Sequence, residues 1–291
     1  AFVTIDPPGS RDLDQALHIE RRQRGWRVRY AIADVPAFVR PGPLADEVRE
    51  RGVTFYLPDQ RAPLHPPSLG EDAASLVPGQ DRPAALWTID LDGDGEVVAS
   101  ALERAVVRSR AQLTYAEVQA DVDSGRSSPT LPLLAEVGRA RQAAEVARGG
   151  VSLDLPTQRV VREGSAYRLE IEAPTPAMGW NAQISLLTGM VAARAMLDAG
   201  VGLLRTLPPP DDEVVATVRR TAGALGVPWP DGAPYADVVR GLDGAVPDHA
   251  ALLAAAARGF RGAGYLPLGP ESPVPADPDA VRHAAVAAPH A

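Results

Sequence analysis

The chain has 291 residues, 45% of them hydrophobic, with a formal net charge of −8 and no cysteine. Disulfides, thiol nucleophiles and cysteine-ligated zinc are thereby excluded, and the acidic balance excludes a uniformly basic surface of the kind that coats nucleic acid. No apolar run reaches the roughly 18 residues of a membrane helix and no signal-peptide pattern opens the chain, so a soluble, cytoplasmic protein is expected. All 29 basic residues are arginine; beside abundant Ala, Gly and Pro, base composition explains this more simply than function does.

In chain order, Ala1–Asp6 reads as a strand that ends on a carboxylate, and Pro7-Pro8-Gly9-Ser10 reads as a turn. Asp12 and Asp14 follow, two residues apart. If that segment is extended, both side chains point the same way, and with Asp6 three carboxylates can converge. Convergent carboxylates repel unless a cation or a proton neutralises them. Hard oxygen donors with no Cys and no nearby His suit Mg²⁺ or Mn²⁺, and the chemistry of such sites is usually phosphoryl transfer. The same three residues could instead cap a turn and a helix start.

A hairpin of Ala16–Arg21 and Trp26–Ala33 comes next, then Asp34 as a turn or N-cap residue with the metal site as its other use, and a short helix Leu44–Arg51 closed by Gly52. Residues 57–69 read as a Pro-rich loop in which His65 has no partner at metal-ligand spacing. Strands Trp87–Leu91 and Glu96–Val107 flank Asp92-Gly93-Asp94-Gly95; a calcium loop would need a Glu where Ala101 stands, so a plain hairpin turn is expected. Thr114-Tyr115-Ala116-Glu117 opens a helix as a capping box, Leu131–Arg148 is an amphipathic helix ended by Gly149-Gly150, and Arg159–Arg162 and Tyr167–Ala173 are strands about Gly164. Trp180–Ala199 is the longest apolar helix, expected to be buried against the sheet; helices over 211–225, 235–242 and 249–262 and a Pro-rich loop over 266–278 complete the chain.

Several of these blocks resemble one family. Thr4-Ile5-Asp6 with Asp12-Leu13-Asp14 and Ala16-Leu17 is similar to the signature of the RNB catalytic domain of the ribonuclease II / ribonuclease R family, and Tyr30-Ala31-Ile32-Ala33-Asp34-Val35 resembles its next strand. Thr54-Phe55-Tyr56-Leu57-Pro58 resembles its following block. Leu64 to Leu69, Ala74-Ser75-Leu76 and Asp81-Arg82-Pro83-Ala84 match further motifs in order and spacing, so the likeness is strong to about residue 90 and weaker beyond 110.

The resemblance implies an α/β (α+β) chain of RNB fold, a mixed and mostly antiparallel sheet core packed with helices, forming one catalytic domain over residues 1–291. It implies a processive 3′→5′ exoribonuclease that hydrolyses single-stranded RNA to nucleoside 5′-monophosphates, with one or two Mg²⁺ or Mn²⁺ ions on Asp6, Asp12 and Asp14. RNA would run in a local arginine-lined channel, with Tyr56 stacking on the 3′-terminal base. Two positions depart from the pattern: Gln15 replaces a fourth Asp as a neutral oxygen donor able to ligate metal, and on the apolar helix Gln183 and Gly189 replace a Glu and an Asn, leaving Gln183 to bond RNA or water. The chain reads as a portion of a longer protein, with flanking OB-fold domains and a C-terminal Arg-rich motif expected outside it. A catalytically degenerate RNB domain that only binds RNA is the alternative, and a small-molecule phosphohydrolase a more distant third.

Overall fold

Strand β1 (Phe2–Ile5) is followed by the hairpin of β2 (Gln15–Arg21) and β3 (Trp26–Ala33). Helix α1 (Pro43–Arg51) ends on Gly52 in the left-handed conformation as expected, and residues 53–62 carry a two-pair hairpin of β4 (Phe55–Tyr56) and β5 (Arg61–Ala62). One π-type turn over Leu69–Ala73, in which the Ala74 amide donates to the Leu69 carbonyl, leads to the long pair β6 (Asp81–Leu91) and β7 (Val97–Leu113). The computed structural model describes residues 1–57, 60–125, 130–153, 155–172, 174–206, 210–260 and 264–272. The remainder of the expected C-terminal loop, 273–278, lies outside the described residues.

The strands close into a barrel in the order β1-β2-β3-β6-β7, antiparallel throughout except for the parallel pairing of β1 with β7. Register carries the core around the barrel: Leu17 faces Tyr30, Tyr30 faces Trp87 and Val28 faces Ile89, all of them buried. Burying each such side chain contributes about 1.5–3 kcal/mol. β6 and β7 are longer than the sequence signals: the ladder with β3 carries β6 through Ala84, Ala85 and Leu86, and pairing with β1 carries β7 on to Leu113. Asp92-Gly93-Asp94-Gly95 is the plain hairpin turn expected: the Asp92 carboxylate accepts from the amides of Asp94 and Glu96.

Helices α2 (Tyr115–Ser124) and α3 (Leu131–Ala147), strands β8 (Thr157–Glu163) and β9 (Ala166–Glu172), and helix α4 (Pro176–Ala199) follow. The capping box forms in full, with Thr114 Oγ1 accepting from the Glu117 amide and the Thr114 amide donating to Glu117. α4 begins four residues before the expected Trp180. β10 (Gly202–Thr206), α5 (Asp212–Leu225), α6 (Tyr235–Arg240), α7 (Pro247–Ala256) and β11 (Gly264–Leu268) complete the chain. β10 is a strand the sequence did not announce, and it pairs antiparallel over five residues with β11, which had read as loop. Among the described residues no helix is long and apolar enough to cross a membrane.

Two compact units result. The first contains Ala1–Arg141, Arg159–Glu170 and Thr175–Asn181, and therefore the barrel; the second contains Gln142–Gln158, Ile171–Pro174 and Ala182–Ala291. The second has its own core, in which Val218, Ala222, Val239, Leu252, Leu253 and Ala256 pack from α5, α6 and α7. The α/β class, with a mostly antiparallel core, is as expected.

Candidate active site

Pro7 to Ser10 form a turn closed by the Ser10 amide on the Pro7 carbonyl, with Gly9 at φ +83°, the conformation a Pro-Gly centre adopts in a type II turn. From Arg11 to Asp14 the chain has no strand ladder, yet side chains alternate: Asp12 and Asp14 are exposed and Leu13 is fully buried. Its support comes from 62 residues further on, where the buried Ser75 hydroxyl accepts from the Leu13 amide at 3.0 Å and donates to the Arg11 carbonyl at 2.6 Å. The Leu76 amide donates to the Leu13 carbonyl at 2.8 Å, and the Ala33 amide to that of Asp14 at 2.9 Å. Leu13 and Leu76 share one apolar cluster with Ala16, Ala31, Ala84 and Val107. Asp12 and Asp14 thus stand on a rigid main chain on one side of Leu13.

Asp6 leaves β1 with its amide bonded to the Leu113 carbonyl at the end of β7. One of its carboxylate oxygens, Oδ2, is buried without a hydrogen-bond partner. Its pKa is pushed up to about 6, first by burial and then by the charge of Asp14; the Thr4 hydroxyl pulls it back in part, and Asp12 adds a smaller push. The charges of Asp14 and, more weakly, of Asp12 are thus felt at Asp6.

Asp12 also has a partner of its own. Arg61 on β5 donates from Nη1 to Asp12 Oδ2 at 2.9 Å and from Nη2 to Glu71 Oε1 at 2.6 Å. Among the described residues no three acidic or histidine side chains stand as a preformed metal-holding group. The donor set nevertheless suits a hard divalent ion: all oxygen, mutually repelling, and including a buried carboxylate oxygen without a hydrogen-bond partner. Gln15 opens β2, and its side-chain carbonyl accepts from the Tyr30 hydroxyl. That bond uses one of the two lone pairs with which the oxygen could have met an ion.

One residue not marked as functional in the sequence belongs here. Tyr115, the first residue of α2, has its hydroxyl pushed up by burial, then by the charges of Asp6 and of Asp14, and accepts from Asn181 Nδ2 at 3.4 Å. Its position follows from β7 delivering Leu113 beside Asp6, a parallel pairing that no local signal announces.

Tyr56 lies on the β4–β5 hairpin at 75% exposure with Phe55 at 52%, so neither ring is part of the core. Arg51 clamps the foot of that hairpin by donating to the carbonyls of Ala62, Pro63 and Leu64. His65 is held below its usual pKa by burial and by Arg51, in keeping with a structural role. Asp34 precedes a short 3₁₀ turn but makes no side-chain cap; its carboxylate pairs with Arg104 at 3.1 Å. Gln183 belongs to the second unit and is only 4% exposed: its amide donates to Glu145 Oε2 at 2.5 Å, and Ser152 donates to the other Glu145 oxygen at 2.8 Å. The amide nitrogen is thus committed to Glu145, while Gln183 Oε1 is buried without a hydrogen-bond partner.

A family model described as the RNB domain matches residues 1–247. The exosome complex exonuclease RRP44 homolog A of Arabidopsis thaliana is 30% identical over 239 residues, which make up 77% of this chain and 25% of that protein. Ribonuclease R of Escherichia coli K12 is 31% identical over 244 residues, 79% of this chain and 30% of that protein. The chain thus spans about a quarter to a third of the length of these curated relatives. Among solved structures, Mycoplasma genitalium RNase R in complex with ribose methylated single-stranded RNA superposes with a TM-score of 0.80 at 20% identity, covering 91% of this chain and 44% of that one. Yeast Ssd1, described as a pseudonuclease, gives 0.70 at 15%, covering 91% and 34%. At these identities the structural likeness shows the fold, and the matched length of sequence shows the rest: the chain belongs to the RNB domain family.

Proposed function

We propose that this chain is the catalytic part of a cytoplasmic, processive 3′→5′ exoribonuclease that hydrolyses single-stranded RNA to nucleoside 5′-monophosphates, with Mg²⁺ or Mn²⁺ held by Asp6, Asp12 and Asp14. The observation that carries this reading is the buried, unpartnered Asp6 oxygen beside Asp14, a cost in folding free energy with no structural return. A bound divalent ion would supply an activated water and charge compensation at the scissile phosphate. A bound cation would favour the Asp6 carboxylate and bring its raised pKa back down. Tyr115, kept protonated, offers an O–H to a phosphate or ribose oxygen. Phe55 and Tyr56 present exposed rings on which any base can stack, at about 1–3 kcal/mol per base.

The second reading, an RNA-binding module without hydrolysis, draws support from Gln15 being neutral and bonded to Tyr30, and from Asp12 being bonded to Arg61. Full-length protein incubated with 3′-tailed single-stranded RNA and Mg²⁺ or Mn²⁺ separates the two. Release of mononucleotides is expected, and Asp14→Asn should slow it by about a hundredfold or more through loss of the ion. RNA binding with no degradation in either metal rejects the hydrolase and leaves the module.

A further inference from the structure

Arg61 joins the two halves of the site that RNA and metal would use. In the β4–β5 hairpin it is paired directly with Tyr56. Its guanidinium forks between Asp12 and Glu71, and Arg11 Nε stands 3.7 Å from the second Glu71 oxygen. Asp12 is one of three carboxylates proposed above to hold the ion, so a fixed guanidinium and a divalent cation compete for one carboxylate. Glu71, shared with Arg11 through its other oxygen, anchors the second arm of the fork. A guanidinium freed on one arm presents paired N–H donors whose geometry matches a phosphate.

We propose that Arg61 is a positioning residue that couples ion binding to capture of the RNA end: the ion displaces Nη1 from Asp12, and the freed arm takes a phosphate oxygen while Nη2 stays on Glu71. This rests on the ribonuclease reading of the site. The chain of contact is short: ion on Asp12, Arg61 on phosphate, and Tyr56, held opposite Arg61, on the adjoining base. Coupling of this kind is reciprocal, so RNA must tighten the ion by the same factor by which the ion tightens RNA.

The test measures Mn²⁺ affinity of the full-length protein from the EPR signal of free Mn²⁺, with and without an uncleavable 2′-O-methylated single-stranded RNA oligonucleotide. Arg61→Gln keeps a polar side chain with a shorter amide donor and removes the competing charge. Without RNA it should bind Mn²⁺ about fivefold tighter than the wild type, and its gain on adding RNA should be smaller by a like factor. Arg61→Lys retains the charge and should stay near the wild type without RNA. A site merely loosened by the substitution would bind Mn²⁺ more weakly, so equal or weaker binding by Arg61→Gln overturns the proposal. Asp14→Asn distinguishes the levels of failure. If it loses Mn²⁺ while Arg61→Gln matches the wild type, only the role of Arg61 falls; if wild type and Asp14→Asn bind alike or not at all, the metal site falls with it.

Discussion

Asp6 and Asp12 sit in one short loop and carry the same side chain, yet the fold treats them in opposite ways. Asp6 is held by main chain, its amide on Leu113 at the closure of the barrel, and its carboxylate is left half-buried beside Asp14 with one oxygen orphaned. Asp12 is 43% exposed in its side chain and satisfied by Arg61. One end of the site thus carries electrostatic strain that the proposed ion would relieve, and the other is already neutralised by a cation of the protein's own. The metal site proposed on these residues would have a strong half and an adjustable half. Position comes from the backbone in the first and from a side chain that can let go in the second.

The contrast breaks most completely if the frame under both halves is removed. Ser75→Ala would orphan the buried Leu13 amide and take a donor from the Arg11 carbonyl, while leaving every carboxylate in place. A buried group left unsatisfied costs about 1–3 kcal/mol, so a loss of about 2 kcal/mol is expected in denaturant unfolding. RNA turnover should fall with it, since Asp12 and Asp14 flank Leu13. Turnover retained at the full wild-type rate in a folded Ser75→Ala protein would show that the acidic loop does not need this support.

Asp6 sharpens the contrast through pH. Its folded pKa of about 6 lies above the unfolded value of 3.8, so the folded state holds the proton more tightly. The stability this gives is complete below pH 3.8 and is lost as pH rises through about 6. In metal-free buffer with chelator, Asp6→Asn should therefore gain on the wild type between pH 5 and pH 7.5, by about 1 kcal/mol once partial exposure is allowed for. Saturating Mg²⁺ should reverse the order, because the wild type gains more from the ion than the amide does. Unfolding curves that run parallel across this pH range would remove the strain assigned to Asp6.

The uneven legibility of the sequence follows the same division between local and distant causes. The β2–β3 hairpin, the Thr114 capping box, the Gly52 helix stop and the alternation of Asp12, Leu13 and Asp14 are set by residues within a few positions of one another, and each stood as read. What was not legible depends on chain segments meeting across long separations. β10 finds β11 some sixty residues away, and Pro267 inside β11 disguises it as loop. Tyr115 reaches Asp6 only because β1 and β7 run parallel. Gln183 aligned with a family glutamate and looked available to RNA, but Glu145, brought from α3, takes its amide. Arg61 gave no signal at all in a Pro-rich loop, since its meaning lies in Asp12, 49 residues earlier.

The adjustable half should show itself by how little it matters to folding. Asp12→Asn removes the charge that holds one arm of Arg61, while the other arm keeps Glu71 at 2.6 Å. An ion pair this exposed contributes about 0–1 kcal/mol, so metal-free Asp12→Asn should unfold within about 1 kcal/mol of the wild type. That small difference should vanish in about 1 M salt, where the screening length is only a few ångströms. Mn²⁺ affinity should fall all the same, because the carboxylate that is cheap to remove from the fold is one the ion needs. A loss well above 2 kcal/mol that persists in high salt would instead make Asp12 a structural residue like Leu13. Asp12 could then not pass between Arg61 and an ion without loosening the loop.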